Sequence, residues 1–360
     1  MSAGGGQVLR GACDARFAPV AEAMAENLDD EIGAAVVVRF GEEVVVDLCG
    51  GWADAARTRP WLPDTLVDVF SAGKAFVALT VLSLGLDLDS IAWQDATLRQ
   101  VLAHQAGHPA LRVDVPAEAI YDWDWMVRAL ESQEPWWQPG TTHGYHVNTF
   151  GFLCGEIVRR TTGETLRARF GGLAGEAAGV SFGVSATADV AEFAFDAGAR
   201  ASAGGDPDVG EERRYLLGRT YLNPPALSGI GTVNSRAWRA AEIPSANCHA
   251  SARGVAAVYA RLPELLDADT LGEAILPWSD GEDFVLDRRT RFGLGFQLAQ
   301  EDRPMGPGAR AFGHFGAGGQ LGFHDPDSNL TFAYVCNRCE GRRWQTDRSR
   351  RLLDALTSSL

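Results

Sequence analysis

The chain is poor in cysteine, in basic charge and in long apolar runs. Six cysteines (Cys13, Cys49, Cys154, Cys248, Cys336 and Cys339) are scattered over 360 residues. That is too sparse for a disulfide scaffold and suits a reducing compartment. Cys336-Asn337-Arg338-Cys339 is a lone Cys-x-x-Cys without a second ligand pair at zinc-site spacing, so no metal centre is expected. Lys and Arg number 32 against 47 Asp and Glu, a formal net charge of −15. Such a balance argues against a nucleic-acid or anionic-membrane partner and serves solubility. No apolar run reaches the ~18 residues of a membrane span. Residues 1–7 have neither a basic n-region nor an apolar h-region, so the expected location is cytoplasmic.

What is present is length and a clear order of patterns. With 46% hydrophobic residues, the chain suffices for a large core in two parts. Phe17, Val20, Met24 and Leu28 recur at helical spacing and predict a helix over about 14–30. Ala34–Phe40 and Glu43–Cys49 are β-rich runs around Gly41-Glu42, the pattern of a hairpin. Ala75–Leu84 predicts a buried helix. Leu98–His104 and Thr149–Arg160 are the clearest of the helical signals that fill the middle of the chain. Ala203–Glu212 is an acidic, glycine-rich loop, and Ala250–Leu262 another helix. Strand character returns at Phe292–Ala299, Leu321–His324 and Leu330–Cys336. Thr346 is placed to cap a last helix with Leu352, Leu353, Leu356 and Leu360 on its apolar side. The order predicts an α/β plus all-α fold: a mixed, mostly antiparallel sheet built from both chain ends (1–88 and 285–360), with an inserted helical part (89–284) and a site in the cleft between them.

The chemistry is concentrated at Ser71-Ala72-Gly73-Lys74. On a helix, positions i and i+3 share a face, so the amine can reach the hydroxyl. A serine needs such a base to act as a nucleophile, and a Ser–Lys pair is one solution. A competing pattern is Gly179-Val180-Ser181-Phe182-Gly183, the Gly-x-Ser-x-Gly of a nucleophile elbow, with His249, His314 and His324 downstream. It requires a parallel strand–turn–helix context, whereas its surroundings are Ala- and Gly-rich with helical signals.

Five blocks in order carry a resemblance: Asp64–Lys74; Leu98–Gly107; Trp137–Gly140 with Tyr145–Gly151; Asn234–Asn247; and Phe312–Gly319. Together they resemble the class C β-lactamase-like serine hydrolases, the family VIII carboxylesterase group of the penicillin-recognising β-lactamase/D,D-peptidase fold. The resemblance implies Ser71 as acylated nucleophile, with Lys74 taking its proton and Tyr145 relaying protons to the leaving group. Its phenolate would be favoured by a neighbouring ammonium. The backbone amides of Ser71 and Ala317 would form the oxyanion hole. His314, Phe315 and Gly316 occupy the family's Lys-Thr-Gly triplet. Val147 stands at the third place of the tyrosine motif, with the expected asparagine one residue later at Asn148. These five would face substrate, a small-molecule ester or acyl compound, and no metal or cofactor is implied. Loss of the asparagine and the lysine predicts poor hydrolysis of β-lactams. Two rivals stand beside the esterase: an acyltransferase of natural-product biosynthesis, and a catalytically silent binding protein. Trp123, Trp125, Trp136 and Trp137 could pack the helical part or wall a wide pocket. His104 reads as a helix-end residue, and Asn234, Arg236, Arg239 and Glu242 as a structural polar network.

Overall fold

The β-rich runs at the two ends of the chain meet in one sheet. The computed structural model describes residues 8–175, 179–185, 187–196, 210–341 and 344–360, and most of the expected loop at 203–212 lies outside them. Nine strands pair antiparallel: β1 (Arg10–Cys13), β2 (Gly33–Phe40), β3 (Glu43–Gly51), β4 (Ser279–Glu282), β5 (Arg289–Phe292), β6 (Gln297–Leu298), β7 (Phe312–Phe315), β8 (Leu321–Asp325) and β9 (Leu330–Cys336). Their order is β1-β3-β2-β9-β8-β7-β6-β5-β4. The N-terminal hairpin docks on the last strand, with Ala34 opposite Cys336 and Phe40 opposite Leu330. Strand β2 is apolar on both faces because both are covered. Val36 and Val38 join a core with Met24, Leu28, Leu352 and Leu356, while Ala35 and Val37 join the core that holds the helix Lys74–Leu82. The N-terminal helix Ala18–Asp30 and the terminal helix Asp347–Ser358 thus cover one face. The helix Ala252–Ala260 covers the other.

Several boundaries differ from expectation for local reasons. The sheet begins at Ser279, ahead of the boundary expected at 285, because the β4–β5 hairpin pairs Ser279 with Phe292. The expected single strand over 292–299 is two, since Gly295 at φ +76° turns the chain between β5 and β6. The helix at Leu98 ends at Leu102, and His104 beyond it adopts φ +60°. Thr346 does cap the terminal helix, accepting from the Ser349 amide, and Leu352, Leu353 and Leu356 are buried. Leu360 lies past the helix end and is 42% exposed, so it adds nothing to that apolar face. Among the described residues, no helix is long and apolar enough to cross a membrane.

The central part of the chain sets helix Phe150–Thr162 against the helix that follows Ser71, and strand β7 runs beside the turn that carries Ser71. Sheet, helical part and the turn that carries Ser71 therefore converge on one cleft.

Candidate active site

The turn that carries Ser71 is held from both sides. Asp68 pairs across strands with His249, and the Val69 amide donates to the Cys248 carbonyl at 2.7 Å. Asp68 Oδ1 then accepts from the Phe70 amide at 2.8 Å, and Phe70 sits at φ +48°. A bulky residue in that left-handed region costs ~1–3 kcal/mol and is held only where its surroundings enforce it. Here the Phe70 ring is wedged against Phe193 and Phe195, with centroids 4.7 and 5.8 Å away. Ser71 follows in the short turn Phe70–Gly73, half-buried, directly ahead of helix Lys74–Leu82. Gly73 is required there, because a Cβ would collide with the Cys248 side chain.

Lys74 is fully buried. Its Nζ lies 2.9 Å from Ser71 Oγ and donates to the Ser245 carbonyl at 2.9 Å. Burial holds its pKa well below the usual 10.5, because a low-dielectric site disfavours the ammonium. Tyr145 completes the cluster. Its amide donates to both Asp283 carboxylate oxygens, at 3.1 and 3.0 Å, and its ring stacks on Phe292 with centroids 5.7 Å apart. Lys74 Nζ is 5.0 Å from that ring. Burial raises the Tyr145 phenol well above its usual 10, with the Ser71 side chain working the other way. Both shifts run against the expected phenolate held by a neighbouring ammonium, since burial disfavours the charged form of each group.

Gly316 is where strand β7 meets the nucleophile turn. A Cβ there would collide with the Val69 carbonyl and press on Ala72. Ala317 opens the next turn, in which Gly318 and Gly319 take φ +83° and +89°. Arg348, paired with buried Glu31 at 3.0 Å, donates to the Gly318 carbonyl at 3.3 Å and braces this turn from behind. Ser71, Ala317, Gly316, Val147 and Asn148 line a single cleft. His314 and Phe315 do not. Strand β7 is buried on both faces, so the Phe315 ring enters the core shared with the terminal helix. The His314 Nδ1–H donates to the Phe315 carbonyl at 2.7 Å, which fixes the tautomer. Burial, with Lys74 adding to it, pushes the His314 pKa down to about 3. This histidine is neutral and cannot supply the charge of the lysine it replaces. Asn148 is committed as well: its amide donates to the Thr220 carbonyl and to Ser228 Oγ, both at 2.9 Å.

The competing serine is elsewhere. Ser181 lies in a three-stranded antiparallel sheet, in one row with His249 and Asp68. The row resembles a triad only in register. Both His249 ring nitrogens lack partners, Ser181 Oγ donates to the Gly183 carbonyl at 2.7 Å, and Asp68 is bonded to Phe70 and Trp238. Ser181→Ala is expected to keep ester turnover within about twofold of the unmodified chain, as surface-like changes usually do, measured on a 4-nitrophenyl ester.

The four tryptophans wall other places. Trp123 and Trp125 pack on the helical core, Trp136 and Trp137 on the cluster around Val285, and none lines the cleft. His104 is buried beside Tyr145, ring centroids 5.0 Å apart, and its Nδ1 accepts from the His146 amide. Asn234 and Arg239 tie down residues 191–193, and Glu242 accepts from the Arg167 amide, whereas Arg236, the fourth residue of the expected network, is exposed. Cys339 reaches the cleft wall, while Cys336 is buried behind the Gly318 turn. Among the described residues no His, Cys, Asp and Glu group is placed to hold a metal ion. Three contributors were not found by sequence reasoning. Ser245, which anchors Lys74 and accepts from the Gly151 amide at 2.6 Å, lay inside the Asn234–Asn247 block without an assigned part. Tyr221 and Trp344 wall the cleft from segments that carry no motif.

Comparison with known proteins is consistent along nearly the whole chain. A beta-lactamase family model matches residues 20–356. The crystal structure of a family VIII carboxylesterase is similar with a TM-score of 0.86 at 32% identity, covering 98% of this chain and 100% of that one. A penicillin-binding protein homologue from Caulobacter crescentus is similar with a TM-score of 0.86 at 31% identity, over 98% and 100% of the two chains. The esterase/beta-lactamase LipL of Mycobacterium tuberculosis (strain ATCC 25618 / H37Rv) is 30% identical over 363 aligned positions, 92% of this chain and 84% of that protein.

Proposed function

The chain belongs to the beta-lactamase family, and on that premise we propose that it is a serine hydrolase of carboxylic esters that works through an acyl-Ser71 intermediate. The observation that carries this reading is the buried Lys74 amine 2.9 Å from Ser71 Oγ, its pKa held well below the usual value by burial. The names of the relatives, a family VIII carboxylesterase and an esterase/beta-lactamase, support an ester as the substrate.

The steps follow from protonation states. Lys74 accepts the Ser71 proton as Oγ bonds to the ester carbonyl carbon. The carbonyl oxygen takes up the negative charge and is stabilised by the Ser71 and Ala317 amides; one such donor is typically worth ~10²–10³ in rate. Collapse breaks the bond to the alcohol oxygen, which takes a proton from the Tyr145 phenol. The Lys74 ammonium then returns a proton to Tyr145. In the second half Lys74 removes a proton from water as it attacks the acyl carbon, and Ser71 leaves with that proton restored. The products are an alcohol and a carboxylic acid. A phenol whose pKa lies above its usual value is suited to donate rather than to act as a base.

The test is covalent. A slowly deacylated ester or a fluorophosphonate is expected to add one group per chain, and peptide mapping should place it on Ser71. An adduct on Ser181, or none, would overturn the reading. β-Lactams are expected to be poor substrates, because Asn148 is committed to Thr220 and Ser228 and His314 is neutral. Turnover of a chromogenic cephalosporin is expected to be at least about 100-fold below that of a short-chain ester, the scale of two or more lost polar contacts. Comparable rates would contradict this.

A further inference from the structure

The cleft wall carries no charged side chain among the described residues, and burial works against the charged forms of Lys74 and His314 behind it. A cation nevertheless stands against that wall. Arg288, at the end of the β4–β5 hairpin, places its guanidinium carbon 4.3 Å from the centroid of the Trp344 ring. Trp344 lines the cleft and meets the edge of Tyr145 at 5.1 Å. Arg288 also acts electrostatically on Tyr145 and on Tyr221, which lines the cleft too.

Among the described residues no carboxylate forms an ion pair with this cation, although Asp283 acts on it from a distance. Arg288 Nε is buried without a hydrogen-bond partner. The acids around it are engaged elsewhere. Asp283 accepts from the amides of Tyr145, Val285 and Leu286 and from the Thr290 hydroxyl. Asp287 pairs with Arg213, Asp302 with Arg303, and Asp280 with Arg289 and Arg291. Arg303 shares the Trp344 ring at 5.4 Å, and this like charge adds to burial in working against the Arg288 proton. A guanidinium keeps its proton even so. Holding a charge out of water without a partner is unfavourable unless something supplies the partner. The aromatic face of Trp344 supplies only part of it. A positive field focused into an otherwise uncharged, low-dielectric cleft attracts an anion.

We propose that Arg288 is a specificity-determining residue that selects esters bearing a carboxylate, drawing the carboxylate to the Trp344–Tyr221 side of the cleft. The inference rests on the esterase reading above. Positive charge is thus delivered through the Trp344 ring, which lies 6.5 Å from that of His314 on strand β7, a residue with none to give.

The experiment compares matched esters. A mono-4-nitrophenyl ester of a dicarboxylic acid is set against the neutral 4-nitrophenyl alkanoate of equal chain length; acetoxybenzoate against phenyl acetate places the carboxylate on the alcohol side. In at least one pair, kcat/KM for the anionic ester is expected to exceed that for the neutral one by about tenfold or more, the scale of a charge-assisted contact. Added salt should erode that ratio. Arg288→Met should lower the ratio about tenfold, and Arg288→Lys should keep part of it. Binding of the same esters to Ser71→Ala, with and without Arg288→Met, is read by calorimetry and needs no turnover. Arg288-dependent binding of the anionic esters would support the inference even if wild type turned over none of them, which would sink the esterase reading alone. The inference is overturned if the ratios in turnover and binding are the same with Arg288→Met. It is overturned equally if both members of each pair fall together, since that would assign Arg288 to Tyr145 or to packing.

Discussion

Ser71→Ala is expected to remove ester hydrolysis almost completely, by about 10⁶-fold in kcat, as loss of a serine nucleophile does in other acyl-transfer enzymes. The fold should survive. Ser71 is half-buried, its turn is fixed by Asp68, Phe70 and Gly73, and Lys74 keeps its bond to the Ser245 carbonyl. Thermal unfolding should therefore shift little, while covalent labelling disappears. The residual rate is expected to stay above that in water, because the Ala317 amide and the backbone amide at position 71 would still stabilise an attacked carbonyl. Retention of even a hundredth of the wild-type rate, in protein shown free of wild-type contamination, would mean that another nucleophile does the work. The Ser71–Lys74 assignment would then fall.

How much of this site could be read in advance depended on whether the feature was local. The Ser71–Lys74 pair is a matter of three residues of chain, so spacing alone brought amine and hydroxyl together. Strands β2 and β9, apolar on both faces, were likewise legible from runs of Val, Ala and Phe. The fate of His314 and Phe315 was not. They directly precede the cleft-lining Gly316 in the motif, but in a strand buried on both faces their side chains serve the core instead. The direction of the Tyr145 shift was not legible for a related reason. It is set by the burial of the phenol, which is a property of the packed chain and not of the motif. Arg288 and Trp344 are 56 residues apart in sequence and carry no pattern, yet the fold stacks one on the other.

Lys74 and Tyr145 act on different protons, and two substitutions should separate them. Lys74→Met keeps the length of the side chain and removes the base. It is expected to lower kcat about 10³-fold or more with little change in KM, the upper part of the range for a positioned base. The sign of the pH dependence follows from the lowered pKa. Wild-type activity is full above it, where the amine is neutral, and is lost as the pH falls through it. Lys74→Met should lack that limb and rise with hydroxide instead. The same shift acts on folding. Between the lowered value and 10.5 the unfolded chain binds the extra proton, so wild type gains stability as pH rises through that window, by up to about 1.4 kcal/mol per pH unit. The methionine variant should be missing this slope in denaturant titrations. Tyr145→Phe should leave the acid limb of activity in place, because Lys74 remains. Its loss should depend on the leaving group: about 10³-fold for an alkyl ester, whose alkoxide needs a proton, and far less for a 4-nitrophenyl ester, whose phenolate leaves without one. An equal loss on both esters would make Tyr145 a packing residue for Lys74. An acid limb for wild type near the ordinary lysine value would mean that Lys74 is charged at neutral pH, and the proton of Ser71 would then have to go elsewhere.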